Sequence, residues 1–153
     1  MIFTDELIYS RLEENQYATL VTMGEAKLSS RTMTYGFLPS TGIFMLTHKG
    51  SNKLEDLANH PEGILHLAKI EDEVTQSYDI SVYGRLERCE SSSPDYEVGI
   101  RILGKNNPQV LYLLNSDAKE DFELLLFRII EINGSTYYQS INGIPKTTIK
   151  GCI

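Results

Sequence analysis

Three cationic or titratable side chains gather around Ser51. His48 and Lys49 precede it, and Lys53 follows inside the first turn of the helix that the run from Ser51 to about Asn59 predicts. Ser51 reads as the N-cap, with Leu54, Leu57 and Ala58 on one face. Cations are disfavoured at that end of a helix by roughly 0.3–1 kcal/mol each, because its N–H groups and its dipole are already positive. An anion reverses the sign. A phosphate monoester accepts from the backbone N–H groups, the Ser51 hydroxyl and the Lys53 ammonium together. The alternative is lysines that point to water. Arg31, in "LSSRTM", is the second feature: a guanidinium between Ser30 and Thr32 on a strand of largely uncharged residues. Its planar fork suits a bidentate contact to phosphate, and equally a carboxylate or solvent.

Other chemistries find little support. The 153 residues carry a net charge of −7, and no Lys/Arg-rich run occurs, which argues against nucleic-acid binding through phosphate neutralisation. No run approaches the roughly 20 apolar residues that cross a membrane. The start, "MIFTDELIYS", has no basic and apolar leader, so a cytoplasmic location is expected. Cys89 and Cys152 are far apart and read as free thiols, and His48, His60 and His66 lack metal-ligand spacing, so no metal site is expected. P-loop, GxGxxG and GxSxG signatures are absent.

The elements that would position Arg31 and Ser51 are mostly strands. Thr4 caps a short helix to about Glu14. Residues 17–35 read as a hairpin turning at Gly24-Glu25, "IFMLTH" as a third strand and "ILHLAKI" as a fourth. Val74 to Arg88 is a long alternating strand, with Ile80, Val82 and Leu86 on one face and a bend or bulge at Gly84. Ser93 and Pro94 open a helix that Gly104 follows, and Asn106, Asn107 and Pro108 form a loop. "FELLLFRIIEIN" and "STYYQS", joined by Asn133-Gly134, read as a closing hairpin. Many antiparallel strands with few helices predict a small, mainly β barrel in one domain, residues 1–153.

The pieces "ATLVT", "LSSRTM", "IFMLTHKGSNKLEDLANHP" and "YDISVYGRLER", in that order, resemble the FMN-binding split barrels of the pyridoxamine 5′-phosphate oxidase-like superfamily, in particular its general-stress-protein 26 type. The resemblance implies an antiparallel split β-barrel and a homodimer with FMN in the subunit interface. It implies that Arg31 grips the FMN phosphate, that Thr32, Met33 and Thr34 run beside the flavin ring, and that Leu46 and Thr47 end their strand against it. Ser51, Asn52 and Lys53 would complete the phosphate cradle. Asp79 stands where the oxidases have a glutamine at the ring's pyrimidine edge; unlike an amide, its carboxylate can only accept. Tyr138 falls where they have a tryptophan from the other subunit.

Gly36 stands where the oxidases carry a lysine, five residues after their phosphate-gripping arginine, and the end, "NGIPKTTIKGCI", carries neither His nor Arg. Pyridoxamine phosphate oxidation is therefore not expected, and a haem-degrading role is weakened. The resemblance implies an FMN-dependent oxidoreductase passing electrons from a small-molecule donor to an acceptor. A non-catalytic flavin or stress protein, and a deazaflavin- or nitroimidazole-reductase-like member, remain alternatives. No side chain stands out as a general acid or base.

Overall fold

The computed structural model describes residues 1–51, 54, 57 and 59–151. The first helix, α1 (Asp5–Glu14), starts where Thr4 accepts the N–H of Leu7 through its side chain, and its Ile8 and Leu12 are buried. Eight strands follow in one antiparallel sheet: β1 (Tyr17–Met23), β2 (Leu28–Thr34), β3 (Gly36–Leu38), β4 (Gly42–His48), β5 (Glu62–Lys69), β6 (Tyr78–Arg88), β7 (Phe122–Thr136) and β8 (Thr147–Lys150). Their order is β2-β1-β5-β6-β7-β4-β3, with β8 on β7, and β2 comes back against β4. The sheet curls into a half-barrel with flanking helices.

Alternation decides the faces. Ala18, Leu20 and Thr22 on β1 point inward, as do Ile80, Val82 and Leu86 on β6 and Ile43, Met45 and Thr47 on β4. The inward aliphatic and aromatic side chains, with Leu125, Phe127 and Ile132 of β7, make the main core. On the other face of β4 and β7, Phe44, Leu124 and Leu126 pack with Leu103 and Val110 of the Asp95–Lys105 and Pro108–Leu114 helices into a second cluster.

The two barrel ends differ. At one end α1 acts as a stopper: Tyr35 donates its hydroxyl to the Leu12 carbonyl at 2.7 Å, and Asn15 donates to the Tyr78 hydroxyl at 2.8 Å. The other end is where β1, β4 and β6 finish and β2, β5 and β7 begin. Leu54, Leu57 and Asn59 are helical, and Leu54 joins the main core.

The strand register at Gly84 slips between Tyr83 and Gly84, as the sequence suggested. Several expectations fail. Val74–Gln76 is a 3-10 turn, so β6 starts only at Tyr78. Gly36–Leu38 is a separate short strand on β4. Gly104 lies inside its helix, whose N-cap is Pro94, with Ser93 accepting the Asp95 N–H. The expected loop at Asn106–Pro108 leads at once into the Pro108–Leu114 helix, because buried Asn107 donates to the carbonyls of Tyr35 and Leu103.

The closing hairpin does not form. β7 runs straight through Asn133-Gly134, which pair with Ser81 and Ile80 on one side and with Thr148 and Thr147 on the other. Gly134 serves here as a close approach rather than a turn: a Cβ there would lie 3.0 Å from Ile8 and Phe3. Thr136 and Gln139 then form a capping box, so Tyr137–Ile141 is a short helix.

Candidate functional site

Arg31 sits directly across from Leu20, which is fully buried, so its side chain starts on the inward face of β2. Its Nη2 donates to the Thr22 hydroxyl of β1 at 3.2 Å. Thr47 points inward from β4, the strand on the far side of the seam where the half-barrel closes. Its hydroxyl lies 2.9 Å from that of Ser51. Arg31 with Thr22, on β2 and β1, and Thr47 with Ser51, at the end of β4, thus form two hydrogen-bonded pairs, and β2 comes back against β4. Met33, two residues from Arg31, shares its inward face and is buried; Thr32 and Thr34 face outward. Asn52 and Lys53 lie outside the described residues.

The donor set at this seam consists of a guanidinium and hydroxyls, beside the start of a helical segment. That chemistry suits a phosphate monoester, which only accepts once ionised.

Two of the cations behind the charge argument point elsewhere. The Lys49 N–H is bound by the Asp121 carbonyl at 2.9 Å. Its side chain lines a cavity of about 260 Å³ with Glu90, Glu120 and Glu123, and with Arg88, which pairs with Glu123 at 3.5 Å. The His48 ring packs edge-on to Phe122, and its Nδ1 accepts the Gly50 N–H at 3.2 Å. The Lys49 backbone is thus fixed by the segment that precedes β7, and the His48 ring by Phe122 and the Gly50 N–H. The Cys89 thiol in the same cavity is pushed up by burial, with a hydrogen bond to Ser93 pulling the other way.

Leu46 turns its side chain away from the barrel interior, into the second cluster with Phe44 and Leu124. Asp79 alternates with buried Tyr78 and Ile80 and faces outward, half-buried. It lines a small cavity of about 180 Å³ with Lys69, Ser135 and Ser140, at the foot of the helix that carries Tyr138. Tyr138 is exposed on that helix, not on a strand.

Asp79 and Thr47 belong to opposite barrel ends. Asp79 pairs with Ser135 and Thr47 with Glu123. Those partners stand twelve residues apart on β7, roughly 40 Å of strand at about 3.3 Å per residue. β4 and β7 therefore hold Thr47 and its partner Ser51 apart from Asp79 and Tyr138.

The outward face of β1, β2, β5 and β6 carries Tyr17, Met23, Leu28 and Tyr83, all exposed. A shallow apolar cavity of about 330 Å³ lies between Val21, Leu28, Ile64 and Tyr83. Across its middle runs a polar row in register, Thr32, Thr19, His66, Ser81, Asn133 and Thr148. Here His66 Nδ1 and the Ser81 hydroxyl are 2.8 Å apart, and Thr148 donates to Asn133 at 2.7 Å. Sequence reasoning missed Thr22, although an inward polar residue opposite a run of inward apolar ones was its visible sign. Among the described residues no group of three or more His, Cys, Asp or Glu could hold a metal ion, and no helix is long and apolar enough to cross a membrane.

No family model matches the sequence, and no curated protein matches it. Solved structures do match in fold. A heme-binding protein from Mycobacterium smegmatis superposes with a TM-score of 0.74 at 15% identity, over 99% of this chain and 60% of that one. The chain thus spans well under two thirds of that protein's length. An FAD-binding protein from Mesorhizobium loti gives a TM-score of 0.71 at 11% identity, over 86% and 94% of the two chains. A protein from Clostridium acetobutylicum, described as related to general stress protein 26 of B. subtilis and of the pyridoxinephosphate oxidase family, gives 0.66 at 16% identity, over 95% and 93%. At these identities the likeness speaks for the fold: a split β-barrel of the kind seen in the pyridoxine phosphate oxidase family.

Proposed function

We propose that this chain, a split barrel of the pyridoxamine 5′-phosphate oxidase-like type, binds flavin mononucleotide by its phosphate at the β2–β4 seam and works as a flavin-dependent oxidoreductase. The observation that carries the reading is that Arg31 on β2 and Ser51 just past β4, two strands that close on each other, are each held by a buried threonine. Lys53, from its place in the sequence, would add a third donor. Bound flavin would supply the electron-transfer chemistry. The chain's part is to hold the phosphate and present the ring.

The site takes two copies. Thr47 and Ser51 lie at one end of β7, and Asp79 and Tyr138 at the other. A second copy laid on the outward face of β1, β2, β5 and β6 would bring its Asp79 and Tyr138 towards the first copy's seam. The exposed Tyr17, Met23, Leu28 and Tyr83 on that face fit burial in a homodimer.

The test is the absorption spectrum of the purified protein, followed by heating and chromatography of what is released. A yellow protein that releases FMN, and that oxidises a reduced nicotinamide with a dye, quinone or nitro compound as acceptor, supports the reading. Yellow protein without such turnover leaves a flavin-binding protein of non-catalytic role. Release of FAD or haem, or colourless protein that takes up no FMN, overturns it.

A further inference from the structure

We propose that Thr22 and Thr47 are positioning residues for the phosphate site, each aiming one donor side chain before the ligand arrives. The inference rests on the flavin mononucleotide reading and extends it to hydroxyls that need not touch the ligand.

Both threonines are 2% exposed, on inward positions of β1 and β4 at the same barrel end. A buried hydroxyl demands a partner, and the partner each has is a candidate phosphate ligand: Arg31 for Thr22, Ser51 for Thr47. The other buried polar side chains do different work. Asn107 ties a helix end to Tyr35, and Thr136 and Gln139 tie the two ends of the chain together.

The donors can be assigned. A guanidinium has no acceptor, so Thr22 accepts from Arg31 Nη2, and the other N–H groups keep their fixed fork geometry. A phosphate oxygen only accepts, so Ser51 must spend its proton on it. Thr47 is then the donor in the Thr47–Ser51 bond. Threonine is stiff at χ1, so both hydroxyls hold their partners in one direction, and little ordering is left for the moment of binding.

The experiment measures FMN and riboflavin affinities by flavin fluorescence quenching, on full-length Thr22→Val, Thr47→Val, Thr22→Ser and Thr47→Ser variants. Riboflavin lacks the phosphate and reads the ring contacts alone. Each valine variant is expected to lose about ten-fold in FMN affinity, with riboflavin affinity unchanged, and each serine variant to recover it. Where a valine variant does not fold, the alanine variant takes its place. Valine variants that bind FMN like the wild type overturn the inference, and so do equal losses for both flavins, which would mark a packing role. A wild-type protein without FMN affinity overturns the underlying reading instead. Normal FMN binding that is sensitive to Arg31→Ala but not to either threonine overturns this inference alone.

Discussion

The side-chain oxygen of Gln139 accepts the backbone N–H of Phe3 at 3.0 Å, across 136 residues of sequence. The same oxygen takes the Thr136 N–H at 3.1 Å, and the amide nitrogen donates to the Pro145 carbonyl at 3.0 Å and the Thr147 hydroxyl at 3.3 Å. One fully buried side chain therefore fastens the first residues, the end of β7 and the start of β8. Gln139→Ala strips two backbone N–H groups of their acceptor in a place water does not reach. It is expected to lower stability by roughly 2–4 kcal/mol in urea unfolding. A loss below about 0.5 kcal/mol, within the range of a surface substitution, would contradict this account of how the chain ends are held.

Tyr35 gives the protein an alkaline limit. Burial, and then the nearby Tyr78 and Glu14, raise its phenol well above the ordinary range. In the unfolded chain a tyrosine loses its proton near pH 10. Below that pH both states are protonated and the full contribution is present. As pH rises from about 10 towards the folded value, only the unfolded state gains by ionising, and stability falls. Tyr35→Phe is expected to flatten that fall between about pH 9 and 11. Tyr78, also raised by burial, would keep part of it. An unchanged slope would contradict the assignment.

Tyr83 tests the second copy. It is 41% exposed on the outward face of β6, the face opposite to the inward one on which the Arg31 side chain starts. Tyr83→Glu places a charge where the homodimer would exclude water, which carries a large desolvation penalty. Sedimentation velocity is expected to show the wild type as a dimer and the variant as a monomer. FMN affinity should fall with it, although Tyr83 touches no phosphate donor. Identical sedimentation of the two proteins would remove this face from the interface.

Much of the barrel is legible from residue order. Apolar and β-branched residues mark β1 from Tyr17 to Met23, alternation marks the inward face of β6, the glycine marks the slip at Gly84, and Thr4 announces the first helix. What stays hidden is set by contacts distant in sequence. Asn133-Gly134 has the local chemistry of a hairpin turn. It is kept extended by pairing with β6 and β8, and its glycine is needed where Ile8 and Phe3 press on β7. The Pro108–Leu114 helix is masked by an Asn-Pro start that reads as loop until the Asn107 side chain finds Tyr35 and Leu103.

The candidate site follows the same division. The residue types at Arg31 and Ser51 are compatible with phosphate chemistry, and equally with a carboxylate or solvent. Which barrel end each faces depends on strand register, so neither the Thr22 tether nor the separation of Asp79 from the seam could be read in advance.

The most direct test of the proposed phosphate site compares FMN and riboflavin affinities of the wild type and Arg31→Ala by fluorescence quenching. Loss of a charge-assisted contact worth roughly 1.5–3 kcal/mol predicts at least a ten-fold weaker FMN complex, with riboflavin binding as before. Equal FMN affinity in the two proteins would contradict the placement of the phosphate at the seam between β2 and β4.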